Sequence, residues 1–459
     1  MKILFGYGKH PYTTATFIEK VLCIEHEVTT FGISKNAQPH DIEVKHATAS
    51  MQDILWQYRQ KMHTEPDIIF IAESGVPFYP MGLETIDIPK IYYSIDPHFN
   101  SNWHKNYIVL FDAAFISFRQ FIKLINLYVD YEIIHLPHGY DHTLYYEESI
   151  PKRFDISFVG DLNPLRKKRV RVLQNLQDHL DCQIHTNVWG EDVRQIYSSS
   201  WIVFNENAFG VMNPRNFEAS ACGSLVLTNH AIDMEQFFNP GKDNVLYSNE
   251  HDALEQASYY LNHRKELIHI AKTGQKKTTE CATWVHRLNL LQDGLNQACA
   301  NDLHQDLLSQ KYHMGETYRK RRFYEAAAFM FQQALSINSE SPQIFYGIGS
   351  LLMDMGKMDQ AMTCFERVLL IDPSYYDALF KLAMIRYDTG DQKALRILET
   401  LYDISPHYDN LLVLSSILIQ SNPIRAQKLL LEAFQLDPYR WEARQYLEQC
   451  YGIDVEEND

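Results

Sequence analysis

The sequence predicts a chain of α/β class whose last third turns all-α, and three observations carry that prediction. Short apolar runs alternate with helix-length segments over about the first 140 residues, the same rhythm restarts at Asp155, and a periodic helical pattern replaces it from about Ser309. The first stretch reads KILFGYG, TATFIEKVLC, EVTTFG, MQDILWQYRQKM, PDIIFIAES, PKIYYSI, YIVLFDA and YEIIHLP. Strand-length runs parted by helical segments imply βαβ crossovers, because a tight turn cannot join parallel neighbours. The sheet is therefore expected to be parallel, with helices on its faces.

The second stretch runs DISFVGD, a helix over about 166–179, QIHTNVWG, a helix over about 192–199, WIVFNEN, NPRNFEASACGSLVLT and NVLYS. Between the two lies LPHGYDHTLYYEESIPKRF, whose Pro137, Gly139 and Pro151 mark an interdomain linker. Two Rossmann-like halves joined in this way leave a cleft at the carboxyl ends of both sheets, where ligands of such folds bind. The expected domains are 1–145, 146–300 and 305–459. A chain of 459 residues is too long for one core, and its 46% apolar content is that of a folded protein.

A net charge of −16 argues against a general nucleic-acid or anionic-membrane binder, leaving small molecules and proteins as expected partners. Seven scattered cysteines without a C-x-x-C pair suit a reducing cytoplasm. The amino terminus, MKILFGYGKHP, is too briefly apolar for a signal peptide, and no run reaches the length of a membrane span. A cytoplasmic protein is expected.

In the third stretch Gly315, Ala327, Phe331 and Ala334 recur thirty-four residues later as Gly349, Ala361, Phe365 and Val368. The small residue returns at Ala394 and Ala426, and prolines follow at Pro373, Pro406 and Pro438, with Ser339 in place of the first. Small residues at helix crossings, an aromatic filling the next gap and a terminating proline suit stacked helix pairs. The pattern resembles the tetratricopeptide repeat, and YRWEARQYLEQC after the last unit reads as a capping helix.

The segment NPRNFEASACGSLVLT carries the chemistry. Asn213 followed by Pro214 predicts an N-cap and a first helical position, and Gly223 ends the helix before the strand SLVLT. Arg215 falls in the first turn, where its guanidinium can fork onto a phosphate. Glu218 lies three residues on and so on the same face, where a carboxylate can accept from both hydroxyls of a ribose. The competing account is a helix-surface ion pair worth about 0.5 kcal/mol or less. In FVGDLNPLRKKR a strand ends at Gly160 and a helix begins near Leu165 with Arg166 in its first turn, a second anion site. Lys167, Lys168, Arg169 and Arg171 read mostly as a solvated face.

In the amino-terminal half Gly6 and Gly8 stand at a strand-to-helix turn that permits close backbone approach to a ligand, although the third glycine of the dinucleotide fingerprint is missing. His10, Glu73, Asp96 and His98 each follow an expected strand, on the side where chemistry is placed. A capping or loop-bracing role is the alternative for each. Asp96 and His98 in YYSIDPH pair a carboxylate with an imidazole as base and orienting partner. There is no D-x-D, H-E-x-x-H or cysteine cluster, so no metal site is expected.

Taken in order, DISFVGDLNPLR, NPRNFEASACGSLVLT, PGKDNVLY and ATWVHRL resemble the carboxyl half of a GT-B glycosyltransferase of the group-1 type, closest to its CgeB-like branch. The resemblance covers about residues 1–300 and is stronger from residue 150 onward. It implies a nucleotide-sugar co-substrate, UDP- or GDP-linked, no bound cofactor and no metal. It implies donor binding by Glu218, Arg215, Arg166, Gly160, Asn213 and Asn205, with Glu218 on the ribose and the two arginines on the diphosphate. The amino-terminal half, with Gly6 and Gly8 in its cleft loop, is implied to bind a protein or glycan acceptor; no motif of the family identifies its catalytic base, and Asp96, His98 and His10 are the catalytic candidates from their own positions. Many group-1 enzymes carry a further Glu eight positions before the ribose Glu; here that position is Gly210, with Glu206 nearby. The fused repeats imply recruitment of an acceptor or partner protein. A non-catalytic scaffold and a GT-B sugar-nucleotide epimerase or phosphorylase are the alternatives.

Overall fold

The computed structural model describes residues 1–163, 166–301, 306–389, 393–438 and 440–453. The chain forms two compact units, 1–304 and 305–459.

The first unit holds two parallel sheets. The larger consists of β1 (Lys2–Gly6), β2 (Glu27–Gly32), β3 (Ile42–Glu43), β4 (Ile68–Ala72), β5 (Lys90–Ser94), β6 (Ala113–Ile116) and β7 (Ile134–His135), in the spatial order β3-β2-β1-β4-β5-β6-β7. Every residue of β4, β5 and β6 is buried, the signature of a sheet covered on both faces. The smaller sheet consists of β8 (Phe154–Val159), β9 (Cys182–His185), β10 (Ser200–Phe204), β11 (Leu225–Thr228) and β12 (Val245–Leu246), ordered β12-β11-β10-β8-β9. The chain reverses its direction of travel between β1 and β4 in one sheet and between β8 and β10 in the other. Those reversals open crevices beyond the carboxyl ends of the strands.

Two expectations shift. The run YIVLFDA is not a strand: Tyr107 ends the helix Pro97–Tyr107, Ile108–Leu110 is a 3-10 turn, and β6 begins only at Ala113. Both placements bury the run, and an apolar run alone does not distinguish helix from strand. The expected second domain, 146–300, also loses its last helix to the first sheet. Leu288–Ala300 packs on β4, β5 and β6, and a Cβ on Gly294 would lie 2.2 Å from the Phe115 ring. The glycine permits this helix-to-sheet approach.

In the second unit the described helices form consecutive pairs from Leu307–Lys320 to Pro423–Leu436, and Trp441–Tyr451 packs on the last of them. Gly315 faces the Phe331 ring and Gly349 the Phe365 ring, while Ala327, Ala361, Ala394 and Ala426 are fully buried. The repeated small and aromatic residues thus occupy the crossings expected of them. The capping helix starts at Trp441; Tyr439, which opens its motif, lies outside the described residues.

Gly294→Ala tests the packing of helix Leu288–Ala300. Alanine improves helix propensity by about 1 kcal/mol, but the methyl overlaps the buried Phe115 ring. The expected outcome is a net destabilisation of about 1–3 kcal/mol, read from denaturant unfolding.

Candidate functional site

The crevice between β8 and β10 gathers Arg169, Glu206, Arg215 and Glu218. Asn213 accepts from the Arg215 backbone N–H at 3.1 Å, Pro214 has helical dihedrals, and the helix Arg215–Ala221 follows, with Gly223 left-handed after it. The helix is only seven residues long. Any preference for anions here thus comes mainly from the guanidinium.

Arg215 and Glu218 form no ion pair with each other among the described residues. Arg215 donates from Nη1 to Asn205 Oδ1 at 2.8 Å and lies over the Phe158 ring at 5.2 Å. A Cβ on Gly160 would sit 2.9 Å from Arg215 Nη2, so the strand end is shaped around the guanidinium. The Glu218 carboxylate accepts no hydrogen bond among the described residues and keeps part of its surface open. Burial pushes its pKa up to about 7, against the pull of Arg215. A carboxylate held out of water without a partner has its acceptor capacity in reserve.

An amide network fixes this arrangement. Asn205, fully buried, donates to Asn207, Asn216 and Thr228, and Asn216 donates to Asn207 at 2.8 Å. Asn207 and Asn229 exchange side-chain and backbone bonds across the β10 and β11 ends. Asn205 is thus enclosed behind Arg215, and Asn213 donates to the Glu206 carbonyl at 2.9 Å. Asn205 is fully buried and Asn213 partly exposed. Sequence reading overlooked the network, although four asparagines and a threonine converging on strand ends are its trace.

Arg169 corrects the view of its helix as a mostly solvated basic face. It is 4% exposed, donates from Nε to Glu206 Oε2 at 2.7 Å and from Nη1 to the Asp161 carbonyl at 3.1 Å, and lies 5.4 Å from the Phe158 centroid. Burial lowers its pKa to about 10. Lys167 and Arg171 are exposed, as expected. Glu206, 6% exposed, gives its Oε2 to Arg169 and lies four residues before Gly210. Gly210 itself is left-handed, at φ +64, directly after Phe209 at φ 57. The expected helix start at Leu165 lies outside the described residues; the helix runs Lys167–His179 with Arg166 at its N-cap rather than in its first turn.

Arg166 looks across the cleft. Its guanidinium lies 5.7 Å from the Phe99 ring of the first lobe, and Phe209 meets the Phe99 and His98 rings at 5.5 and 5.9 Å. Asp96, at the N-cap of helix Pro97–Tyr107, has its pKa raised to about 7 by burial and by Glu73, with Arg166 opposing. His98 is lowered to about 3 by burial and packs on Phe99 and Phe118, so it is a neutral wall. His138, which sequence reading passed over, is 4% exposed, is lowered to about 4 by burial and by Arg287, and lies 5.4 Å from Phe118.

His10 is placed apart from Asp96 and His98. Its Nδ1 is 3.0 Å from the Pro11 carbonyl and its ring is 6.4 Å from Trp189. Trp189 lines a cavity of about 380 Å³ formed by Gly160–Leu162 and Thr186–Trp189. Gly6 and Gly8 are crowded by the protein itself: added Cβ atoms would lie 2.3 Å from the Phe31 ring and from the Val76 carbonyl oxygen. Gly8 N–H donates to Ser74 Oγ at 2.9 Å, so the close approach there is to the chain's own loop. Glu73, at the end of β4, braces the Asp96 turn. Among the described residues no three His, Cys, Asp or Glu side chains are grouped to hold a metal ion. No described helix is long and apolar enough to cross a membrane.

The residues around this crevice fall within a recognised family model. Residues 155–293 match the family described as glycosyl transferase-like, and residues 322–391 match the tetratricopeptide repeat. The chain thus carries a glycosyl transferase-like domain followed by tetratricopeptide repeats. No curated protein matches the sequence. Among solved structures, the chain is similar to sucrose-phosphate synthase from Thermosynechococcus elongatus, with 10% identity, a TM-score of 0.45, and coverage of 65% of this chain and 100% of that one. Anabaena HepE in complex with UDP-glucose gives 12% identity, a TM-score of 0.47, and coverage of 64% and 100%. AviGT4, a glycosyltransferase involved in avilamycin A biosynthesis, gives 14%, 0.43, and 65% and 98%.

Arg169→Ala leaves the Glu206 carboxylate buried and unpaired and is expected to cost about 3–5 kcal/mol, whereas Lys167→Ala stays within about 0.5 kcal/mol. Chemical denaturation of the two variants checks the contrast.

Proposed function

We propose that the chain is a metal-independent hexosyltransferase of the CgeB-like branch, acting in the cytoplasm on a UDP- or GDP-linked sugar. One observation carries the reading: Glu218, with free acceptor capacity, and Arg215 lie one turn apart at the β8–β10 crevice, which faces Asp96 across a cleft. A ribose on Glu218, a diphosphate on Arg215 and Arg166, and a base in the cavity beside Trp189 form one continuous ligand. The Asp96 carboxylate accepts the proton of an acceptor hydroxyl while that oxygen bonds to the anomeric carbon. The bond from that carbon to the diphosphate oxygen breaks, and the electron pair leaves on the diphosphate. Arg166 and Arg215 stabilise the charge that develops there, where preorganised cations contribute most. The helical repeats recruit a protein acceptor or a partner that delivers a glycan.

A thermal-shift screen against UDP, GDP, ADP, CMP and TDP sugars tests the reading, since a ligand of the native state raises the melting temperature. One sugar nucleotide is expected to stabilise the wild type and not Glu218→Ala. Equal stabilisation of both proteins by every compound defeats the assignment.

The charge on Glu218 also sets a pH dependence. Its pKa lies above the ordinary 4.5, at about 7. Its contribution to stability is thus complete below pH 4.5 and lost as pH rises through about 7. Without ligand, Glu218→Gln should melt above the wild type at pH 8 and level with it near pH 4. Donor affinity of the wild type should instead rise from pH 6 to 8, as the accepting carboxylate ionises.

A further inference from the structure

Beneath Asp96 the first lobe buries an ionisable cluster that the reaction above does not use. Glu73 is 9% exposed, and its Oε2 accepts from the backbone N–H groups of Ile95 and Asp96 at 2.8 and 2.7 Å. Its Oε1 accepts from Asn100 Nδ2 at 2.5 Å and lies 3.3 Å from Nε2 of the fully buried His104. The other ring nitrogen of His104 is 2.7 Å from Ser94 Oγ, and Asn100 Oδ1 accepts from Trp103 Nε1 at 3.0 Å. A carboxylate at the end of β4 thereby ties down the turn that leaves β5 and the first turns of the next helix.

The tie decides what Asp96 is free to do. An aspartate at an N-cap ordinarily folds back to accept from the helix N–H groups. Asp96 makes no side-chain cap bond. Glu73 holds the turn from below instead, which leaves the Asp96 carboxyl for the cleft.

We propose that Glu73 is a positioning residue for proton transfer at Asp96, holding the Asp96 turn by its two backbone bonds and placing a fixed negative charge beneath it. This rests on the glycosyltransferase reading. The groups around the Asp96–Glu73 pair are Glu73 itself just after β4, Tyr93 on β5, His98 and His104 on the helix that Asp96 caps, His138 in the linker and Arg166 from the second lobe. Burial lowers His98 and His138, keeping both neutral, and raises Tyr93. The charges that compete over Asp96 are thus Glu73, which raises its pKa, and Arg166, which lowers it. The Glu73 pKa is held below its ordinary value against the effect of burial, by the His104 ring and by the backbone N–H groups of Asp96 and Ile95, so Glu73 stays ionised beneath Asp96. A fixed anion beneath the base keeps it basic enough to take a proton near neutral pH.

The test is the kcat–pH profile of the full chain with the sugar nucleotide found in the thermal-shift screen. Glu73→Gln keeps the shape and an accepting oxygen but removes the charge. The acid limb should move down by about 1 pH unit, with donor KM within about twofold. Glu73→Asp keeps the charge and lengthens the backbone bonds; its limb should stay in place while kcat falls about tenfold. Should the glutamine variant fail to fold, the aspartate variant decides alone, and an unchanged kcat overturns the proposal. An active Glu73→Gln with an unmoved acid limb also overturns it. Absence of turnover with every sugar nucleotide in the wild type instead defeats the glycosyltransferase reading, and an unaltered limb in Asp96→Asn defeats the choice of base.

Discussion

The second lobe must hold three arginines around one strand end without neutralising the ones that face the cleft. Like charges so close repel in a partly dry site. Arg169 is satisfied by Glu206, buried, at 2.7 Å. Arg215 is steadied by an amide oxygen and an aromatic ring, neither of which cancels its charge. Arg166 stands at a helix start and reaches toward the first lobe. Among the described residues the carboxylate that pairs with Arg169, Glu206, is spent below the surface. The charge of Arg215 and Arg166 remains available to an anion, and the β8–β10 crevice inherits its character from that division.

The first lobe applies the same economy with opposite sign. Glu73 is fully engaged by N–H groups, an amide and an imidazole, while Asp96 above it is not. His98 and His138 are driven neutral by burial and line the cleft as aromatic walls. Asp96 thus stands on one side of the cleft, Arg166 and Arg215 on the other, and Glu218 in front of two buried tyrosines. Tyr145 and Tyr197 both feel that carboxylate, which raises their pKa values further after burial.

Much of this was legible because it depends on local rules. An Asn-Pro start, a left-handed glycine stop and the i to i+3 spacing put Arg215 and Glu218 on one face, and the structure keeps them there. Alternating apolar runs announced both parallel sheets, and the thirty-four-residue recurrence announced the helix pairs. The misreadings share a different cause. Arg169 belongs to a run of four basic residues, and only the fold shows that its helix turns that one residue inward. YIVLFDA is apolar enough to be buried as helix or strand, and its neighbours chose helix. Gly8 has the look of a ligand-approach glycine, yet the approaching atom is a carbonyl of the chain itself.

The sequence by itself determined most of the elements, their parallel pairing, the repeat and the face shared by Arg215 and Glu218, because each follows from spacings of a few residues. Tertiary structure alone decided which charges are consumed and which are left. Asn205 and Arg215 are ten residues apart, Arg169 and Glu206 thirty-seven, and Glu73 and Asp96 twenty-three. The last helix before residue 301 likewise returns to a sheet completed far earlier in the chain. Such pairings depend on where the strand ends meet, and the field felt by a buried carboxylate is a sum over neighbours that no local window of sequence contains.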